Sequence, residues 1–262
     1  MAELREYVTC NLCGSTDHSH YASGRNMLWP SEVFQVVRCN VCGLVFLNPR
    51  PVDMETVLRE RPFDPKVMPD PAKMKARQAF FAEWSCLVGP FAPGKRLLDF
   101  GCGAGMFWHA AYEAGWDAYG SDIGVALVRA ARQYWNTDRL LAAGIEELQQ
   151  RFAGFFDVIN ASQVFEHLTN PKRTAPELRS LLKPGGVLTI DVPSIANWKE
   201  FFRKGAILDV PAHFYYWSPA TIRRLLEESG YEIAVLQAGF GGRRLIRRLV
   251  RNPELQNKLV FS

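Results

Sequence analysis

The run Asp99-Phe100-Gly101-Cys102-Gly103-Ala104-Gly105 constrains this chain more than any other stretch. It follows an apolar strand pattern, Arg96-Leu97-Leu98-Asp99-Phe100, and precedes a helical pattern beginning at Met106, so its glycines stand where a strand turns into a helix. Glycine removes the side chains that would keep a ligand off the backbone, and the free N–H groups of a helix start favour an anion. The run is read as the cofactor-binding turn of a Rossmann-like α/β domain. Two details narrow the ligand. A dinucleotide fingerprint would carry its third glycine at position 106, where this chain has Met106 and places Gly105 one residue earlier. Asp122, ending the next strand pattern, is placed to accept hydrogen bonds from two ribose hydroxyls; its purely structural alternative is a helix cap. The expected ligand contains a ribose and is not NAD.

Downstream, strand and helix patterns alternate. Strands are expected at Ala118–Asp122, 139–142, Phe156–Asn160, Val187–Val192 and Tyr231–Leu236, and Lys258–Phe261 is expected as a last edge strand. Helices are expected over 106–114, 124–134, 172–182 and 219–228, the last with Ser218 as N-cap and Gly230 as stop. This alternation predicts βαβ units and a mostly parallel sheet. At 262 residues the chain has room for one such core and a small accessory module. Residues 193–217 are rich in aromatics, with Trp198, Phe201, Phe202, Phe214, Tyr215, Tyr216 and Trp217. They are read as a lid lining a pocket for a flat or apolar acceptor, in which Tyr215 and Tyr216 are the expected substrate contacts because they also hydrogen-bond. Arg243, Arg244, Arg247, Arg248 and Arg251 fit an anionic substrate group or a solvated helix face, and both readings stay open.

Residues 1–50 form a separate unit. Four of the six cysteines fall in two Cys-x-x-Cys pairs, Cys10/Cys13 and Cys39/Cys42, a pattern of metal binding rather than of a disulfide framework. Four thiolates satisfy the tetrahedral preference of zinc and leave no open position, so a structural zinc is expected. Iron with the same ligands, or thiols without metal, are the alternatives; His18 and His20 would serve only if a cysteine were free. Glu32–Arg38, between the pairs, has a strand pattern. Residues 51–93 are expected as a connector, whose proline-rich start, about 49–71, is read as an irregular linker before a helix over 72–87. Residues 94–262 form the α/β domain.

The motifs together resemble class I S-adenosylmethionine-dependent methyltransferases of the small-molecule branch. The resemblance is carried by Leu98–Gly105, Gly120-Ser121-Asp122, Phe156-Asp157-Val158-Ile159, Val164-Phe165-Glu166-His167-Leu168, Leu182-Lys183-Pro184-Gly185-Gly186, His213–Ser218 and Leu225–Tyr231, in order over about 95–236. It implies an enzyme with an α/β, Rossmann-like seven-stranded methyltransferase sheet whose last strand is antiparallel. It also implies that Asp99 and the turn residues Gly101, Cys102, Gly103 and Gly105 surround the methionine part of S-adenosylmethionine. Asp122 would hold the ribose, Ile123 the adenine, and Asn160 with Ala161 would lie beside the methionine end. Many relatives carry an acidic residue after the third strand for the adenine amino group. This chain has Ala143-Gly144-Ile145-Glu146, so the backbone at Gly144 and Ile145 is the expected substitute. The phrase Cys39–Phe46 resembles a zinc-binding, zinc-ribbon-like N-terminal module found on some methyltransferases of sugar and natural-product pathways.

The implied activity is methyl transfer from S-adenosylmethionine to a small-molecule acceptor, such as a sugar-linked or natural-product intermediate. If the acceptor must lose a proton, His167 and His213 are the candidate bases, both beyond carboxyl ends of strands. An RNA methyltransferase gripping its substrate with the zinc module is one alternative. A non-catalytic zinc-ribbon interaction protein with a vestigial cofactor fold is another. The net charge of +4 selects no nucleic-acid partner. No secretory signal pattern or membrane-length apolar run is present in the sequence, so cytoplasmic placement is the expectation. The methylated atom and the oligomeric state are left open.

Overall fold

The structure is a computed structural model that describes residues 5–26, 29–52, 54–60, 62–195, 210–236 and 258–261. In chain order, the N-terminal part contains β1 (Arg5–Glu6), β2 (His18–Asn26), β3 (Trp29–Cys39), β4 (Val45–Leu47) and β5 (Arg50–Pro51). The two cysteine turns precede β2 and β4; Gly14 and Gly43 follow them with φ of +77°, a backbone region that glycine enters without penalty. The proline-rich segment is not the irregular linker expected. It contains helix α1 (Met54–Glu60) and a 3-10 turn, Pro65–Val67. Its helix has apolar Met54, Val57 and Leu58 at i, i+3 and i+4, the spacing of one helix face. Then comes α2 (Pro71–Val88), started by Asp70, whose carboxylate accepts Lys73 N–H at 2.8 Å, and by Pro71 in the first turn.

The α/β part follows as β6 (Arg96–Phe100), α3 (Met106–Glu113), β7 (Asp117–Asp122), α4 (Val125–Trp135), β8 (Leu140–Ala142), α5 (Ile145–Phe152), β9 (Phe156–Ser162), α6 (Pro171–Leu181) and β10 (Leu182–Asp191). It ends in β11 (Tyr215–Tyr216), α7 (Pro219–Glu228), β12 (Glu232–Leu236) and β13 (Lys258–Phe261). Seven strands form one sheet in the order β12-β13-β10-β9-β6-β7-β8. Buried side chains of α2, α3 and α4 share one core cluster, including Phe81, Trp84, Phe107 and Val128, while those of α5, α6 and α7 share another with Leu148, Leu178 and Ile222. The sheet is therefore covered on both faces, as a parallel sheet of near-continuous apolar strands requires. No helix among the described residues is long and apolar enough to cross a membrane.

Two expectations about the last strand are corrected. β13 is parallel to both β10 and β12, not antiparallel, and it lies between them rather than at the edge. The 21 residues between Leu236 and Lys258 exceed the dozen or so that a parallel crossover needs, so the chain can return to the same end of the sheet.

The N-terminal part does not stand apart. β11 pairs antiparallel with β4, matching Tyr215 with Phe46 and Tyr216 with Val45, so the four-stranded sheet β11-β4-β3-β2 takes one strand from beyond residue 210. Leu12, Phe34, Val36 and Leu44 belong to the same apolar cluster as Phe214, Tyr215 and Trp217. The module completes its core with the larger domain.

Candidate active site

The strand order reverses at β6: β7 and β8 lie on one side of it and β9 on the other. Ligands of open α/β sheets bind at the carboxyl ends of strands at such a point. The glycine turn leaves β6 there. Gly101 has φ of +75°, and a Cβ on it would come within 2.5 Å of Val164 Cγ2. Gly103 N–H donates to Asp122 Oδ2 at 3.0 Å and Gly124 N–H to Asp122 Oδ1 at 2.8 Å. Asp122 thus closes the turn and the start of α4 together, and a carboxylate, with about four acceptor positions, keeps two for a ligand.

A cavity of about 420 Å³ opens beside this turn. Gly101, Asp122 and Ile123 line it from the cofactor side, and Val164, His167 and Leu168 from the other. A smaller recess of about 130 Å³ shares Ile123 and His167 and reaches Gly144 and Ile145. Gly144 N–H already donates to Glu147 Oε2 at 2.9 Å, so that donor is taken. Asp99, Asn160 and Ala161 lie buried behind the turn. Asn160 Nδ2 donates to Asp99 Oδ1 at 2.8 Å, Thr189 Oγ1 donates to Asn160 Oδ1 at 3.0 Å, and Trp84 Nε1 donates to Thr189 Oγ1 at 3.3 Å. This buried chain braces β6, β9 and β10 against α2. Burial pushes the Asp99 carboxyl up to about 6, opposed by the Asn160 amide. The Cys102 side chain packs into the core on the α2 face, and Gly105 serves as N-cap of α3.

His167 and His213, 46 residues apart in sequence, meet with ring centroids 4.8 Å apart. His167 Nδ1 lies 2.8 Å from the carbonyl oxygen of Ala212. A carbonyl only accepts, so Nδ1 carries the hydrogen and Nε2 is the basic nitrogen. Glu166, 1% exposed, completes the cluster: Oε1 is 4.0 Å from His167 Nε2, and neither carboxyl oxygen has a hydrogen-bond partner among the described residues. Burial pushes this carboxyl up to about 8, and the charge of Asp191 pushes in the same direction. With its pKa raised to about 8, Glu166 holds its proton at neutral pH more often than not.

Cys10, Cys13, Cys39 and Cys42 bring their sulfurs within 4.8 Å of one another. Tetrahedral zinc with bonds of about 2.3 Å places its sulfurs roughly 3.8 Å apart, so the four can hold a metal with small adjustments. Cys10 Sγ to Cys42 Sγ is 3.4 Å and Cys13 Sγ to Cys39 Sγ is 3.5 Å. His18 is turned elsewhere, its Nε2 3.1 Å from Asn48 Nδ2, and His20 Nε2 meets Ser23 Oγ at 3.0 Å.

Several cavity residues were not singled out in the sequence. Leu58, Phe63 and Val67, from α1 and the segment after it, form a wall of the larger cavity. The helical spacing around Leu58 is the only signal that could have pointed to them. Gln163 also lines it, with φ of +58°, and it is held by Gln163 N–H donating to the Asp191 carbonyl at 2.7 Å and Nε2 donating to Asp191 Oδ2 at 3.1 Å. Strained non-glycine backbone of this kind concentrates at functional sites. Tyr215 and Tyr216 sit in the seam with the N-terminal module, not in the cavity wall, and Tyr215 O–H donates to the Thr169 carbonyl at 3.1 Å. Trp198, Phe201 and Phe202 of the lid, and Arg243, Arg244, Arg247, Arg248 and Arg251, lie outside the described residues.

Comparison with known proteins places this geometry. A family model described as "Methyltransferase domain" matches residues 72–236. The chain is similar to the ubiquinone biosynthesis O-methyltransferase of Acinetobacter baylyi, with 32% identity over 98 residues, 36% of this chain and 41% of that protein. It is also similar to the protein of that name from Psychrobacter arcticus, with 29% identity over 153 residues, 53% of this chain and 59% of that protein. The chain thus spans about half the length of these curated relatives. Among solved structures, the PH0226 protein from Pyrococcus horikoshii aligns at a TM-score of 0.49 and 17% identity, over 63% of this chain and 85% of that one.

Proposed function

The chain belongs to the methyltransferase-domain family, and on that premise we propose that it transfers a methyl group from S-adenosylmethionine to a hydroxyl of a small-molecule acceptor. The observation that carries this reading is that one cavity joins Gly101 and Asp122 to His167. S-adenosylmethionine, when bound, supplies a methyl group on a positively charged sulfur. The chain's residues do the rest. Asp122 takes the ribose hydroxyls with its two remaining acceptor positions, the glycine turn lets the ligand reach the backbone, and Ile123 packs against the adenine. Asp99 and Asn160 hold the turn from behind. His167 Nε2 receives the proton that the acceptor hydroxyl gives up, and His213 lies beside it. The ubiquinone-related names of the relatives support an oxygen acceptor; the apolar wall of Leu58, Phe63 and Val67 supports an apolar body on it. Zinc on the four cysteines would hold the N-terminal turns together and take no part in the chemistry.

Calorimetric titration with S-adenosylmethionine tests the donor. Binding of one molecule per chain is expected, weakened about 100-fold in Asp122→Ala by loss of charge-assisted hydrogen bonds. A purified protein that gives no heat and retains no ligand would defeat the proposal. With labelled donor and a panel of phenolic and sugar-linked acceptors, His167→Ala is expected to lower turnover by roughly 100-fold or more. Full turnover after loss of both His167 and His213 would remove the histidines from the chemistry.

A further inference from the structure

We infer that Arg50 is a positioning residue through which the four-cysteine module sets the acceptor side of the cavity, leaving the cofactor side to the sheet. This rests on His167 as the proton acceptor of the proposed methyl transfer. Arg50 belongs to β5, just after the short strand β4, and its side chain is largely buried. Its Nη1 donates to the Thr169 carbonyl at 2.7 Å and lies 3.4 Å from the Tyr215 hydroxyl, while its Nε donates to Glu6 Oε1 at 2.8 Å. Its guanidinium also lies over the Phe214 ring, 5.5 Å from the centroid. One side chain therefore binds β1, the loop that presents His167 and the strand that follows His213. A planar fork of five donors can make these contacts together; the single ammonium of lysine cannot.

Other bonds crossing from the module end on the same two segments. Leu47 N–H donates to the Phe214 carbonyl at 2.8 Å, and Asn11 Nδ2 donates to Asn170 Oδ1 at 2.9 Å. Lys172 Nζ donates at 2.8 Å to the carbonyl of Leu12, which lies between the first two cysteines. The two segments are also tied to each other, because the Glu166 carbonyl accepts Phe214 N–H at 2.7 Å and Tyr215 N–H at 3.2 Å, and His167 is fixed on Ala212. None of these partners lies in the glycine turn or at Asp122. The cysteine turns and β5 thus bear on residues 166–172 and 212–216, while the cofactor turn is held by β6, β7 and Asp122 itself.

The test compares wild type with Arg50→Lys in the full, zinc-loaded chain, by zinc content, S-adenosylmethionine titration and amide hydrogen exchange. Expected are one zinc per chain and donor affinity within about two-fold of wild type, with exchange faster by about ten-fold or more in 166–170 and 212–216 and unchanged in 99–124. Turnover, where an acceptor is in hand, should fall in kcat with the KM for the donor unchanged. Tyr215→Phe, which removes only the hydroxyl that shares Thr169 with Arg50, should give the same pattern more weakly. Stripping zinc from wild type with a chelator should reproduce it more strongly. Exchange that rises uniformly, that stays confined to residues 5–51, or that leaves 166–170 as protected as in wild type would overturn the inference. The exchange pattern needs no acceptor, so failure of the methyl-transfer reading in the titration or turnover assays is seen separately.

Discussion

Gly101→Ala is expected to weaken S-adenosylmethionine binding by about 100-fold or more while the protein remains folded. Two costs combine. An L-residue at φ of +75° is disfavoured by about 1–2 kcal/mol, and the new Cβ would sit 2.5 Å from Val164 Cγ2. Val164 begins the turn that leads to Glu166 and His167, so relief of the clash moves a cavity wall on the side facing the turn. Each 1.4 kcal/mol is a tenfold change in affinity; where the free variant relaxes its turn and must restore it on binding, the strain costs up to about tenfold, and displacement of the wall supplies the remainder. Gly103→Ala is the control, because its φ is +53° and its Cβ would meet nothing within 4 Å. Calorimetric titration of both variants should rank Gly101→Ala well below Gly103→Ala. Equal losses would show that Val164 yields freely and that the clash has no part in the effect.

The second large effect concerns stability. Glu166→Gln is expected to make the protein progressively more stable than wild type as pH rises, by several kcal/mol at pH 9. Burial raises the Glu166 carboxyl from 4.5 to about 8 in the folded protein. Between those values the folded chain holds a proton that the unfolded chain has lost, so the unfolded state binds fewer protons and wild-type stability falls as pH increases. The fall begins near pH 4.5 and is complete once pH passes about 8. At about 1.4 kcal/mol per pH unit it amounts to some 3–5 kcal/mol. Glutamine is neutral throughout and has no such slope, so the difference between the two proteins reports the Glu166 carboxyl. Urea unfolding at pH 5, 7 and 9 measures it. Parallel curves for the two proteins would show that Glu166 is already ionised at pH 5 and that its pocket is wetter than its burial indicates.

Most of the sheet was legible because its signals are local. Arg96–Phe100 and Phe156–Asn160 are apolar runs bounded by turn residues, and Ser218 with Pro219 marks a helix start that the Ser218 hydroxyl caps by accepting Thr221 N–H at 3.2 Å. The orientation of Lys258–Phe261 was not legible. A four-residue strand pattern carries no direction, and the family resemblance pointed to antiparallel pairing where the chain is parallel. The connector was misread for a different reason. Its prolines hide a seven-residue helix, and whether Leu58 and Phe63 face a cavity depends on what packs beneath them.

The glycine turn, Asp122 and the two cysteine pairs show the limit of what the sequence alone determined. Each is a short-range arrangement in which residue type dictates backbone conformation or ligand chemistry: glycines at positive φ, a carboxylate at a strand end, thiols with two residues between them on a turn. Only the tertiary structure decided that the His167 and His213 rings meet beside the buried Glu166, that α1 walls the cavity, and that Tyr215 pairs with the module and does not line the cavity. These depend on contacts between residues 46 to 171 positions apart, made when β4 pairs with β11 and α1 packs against α4. No local preference encodes such contacts, because each is selected by burial of the whole core and not by the segments that meet in it.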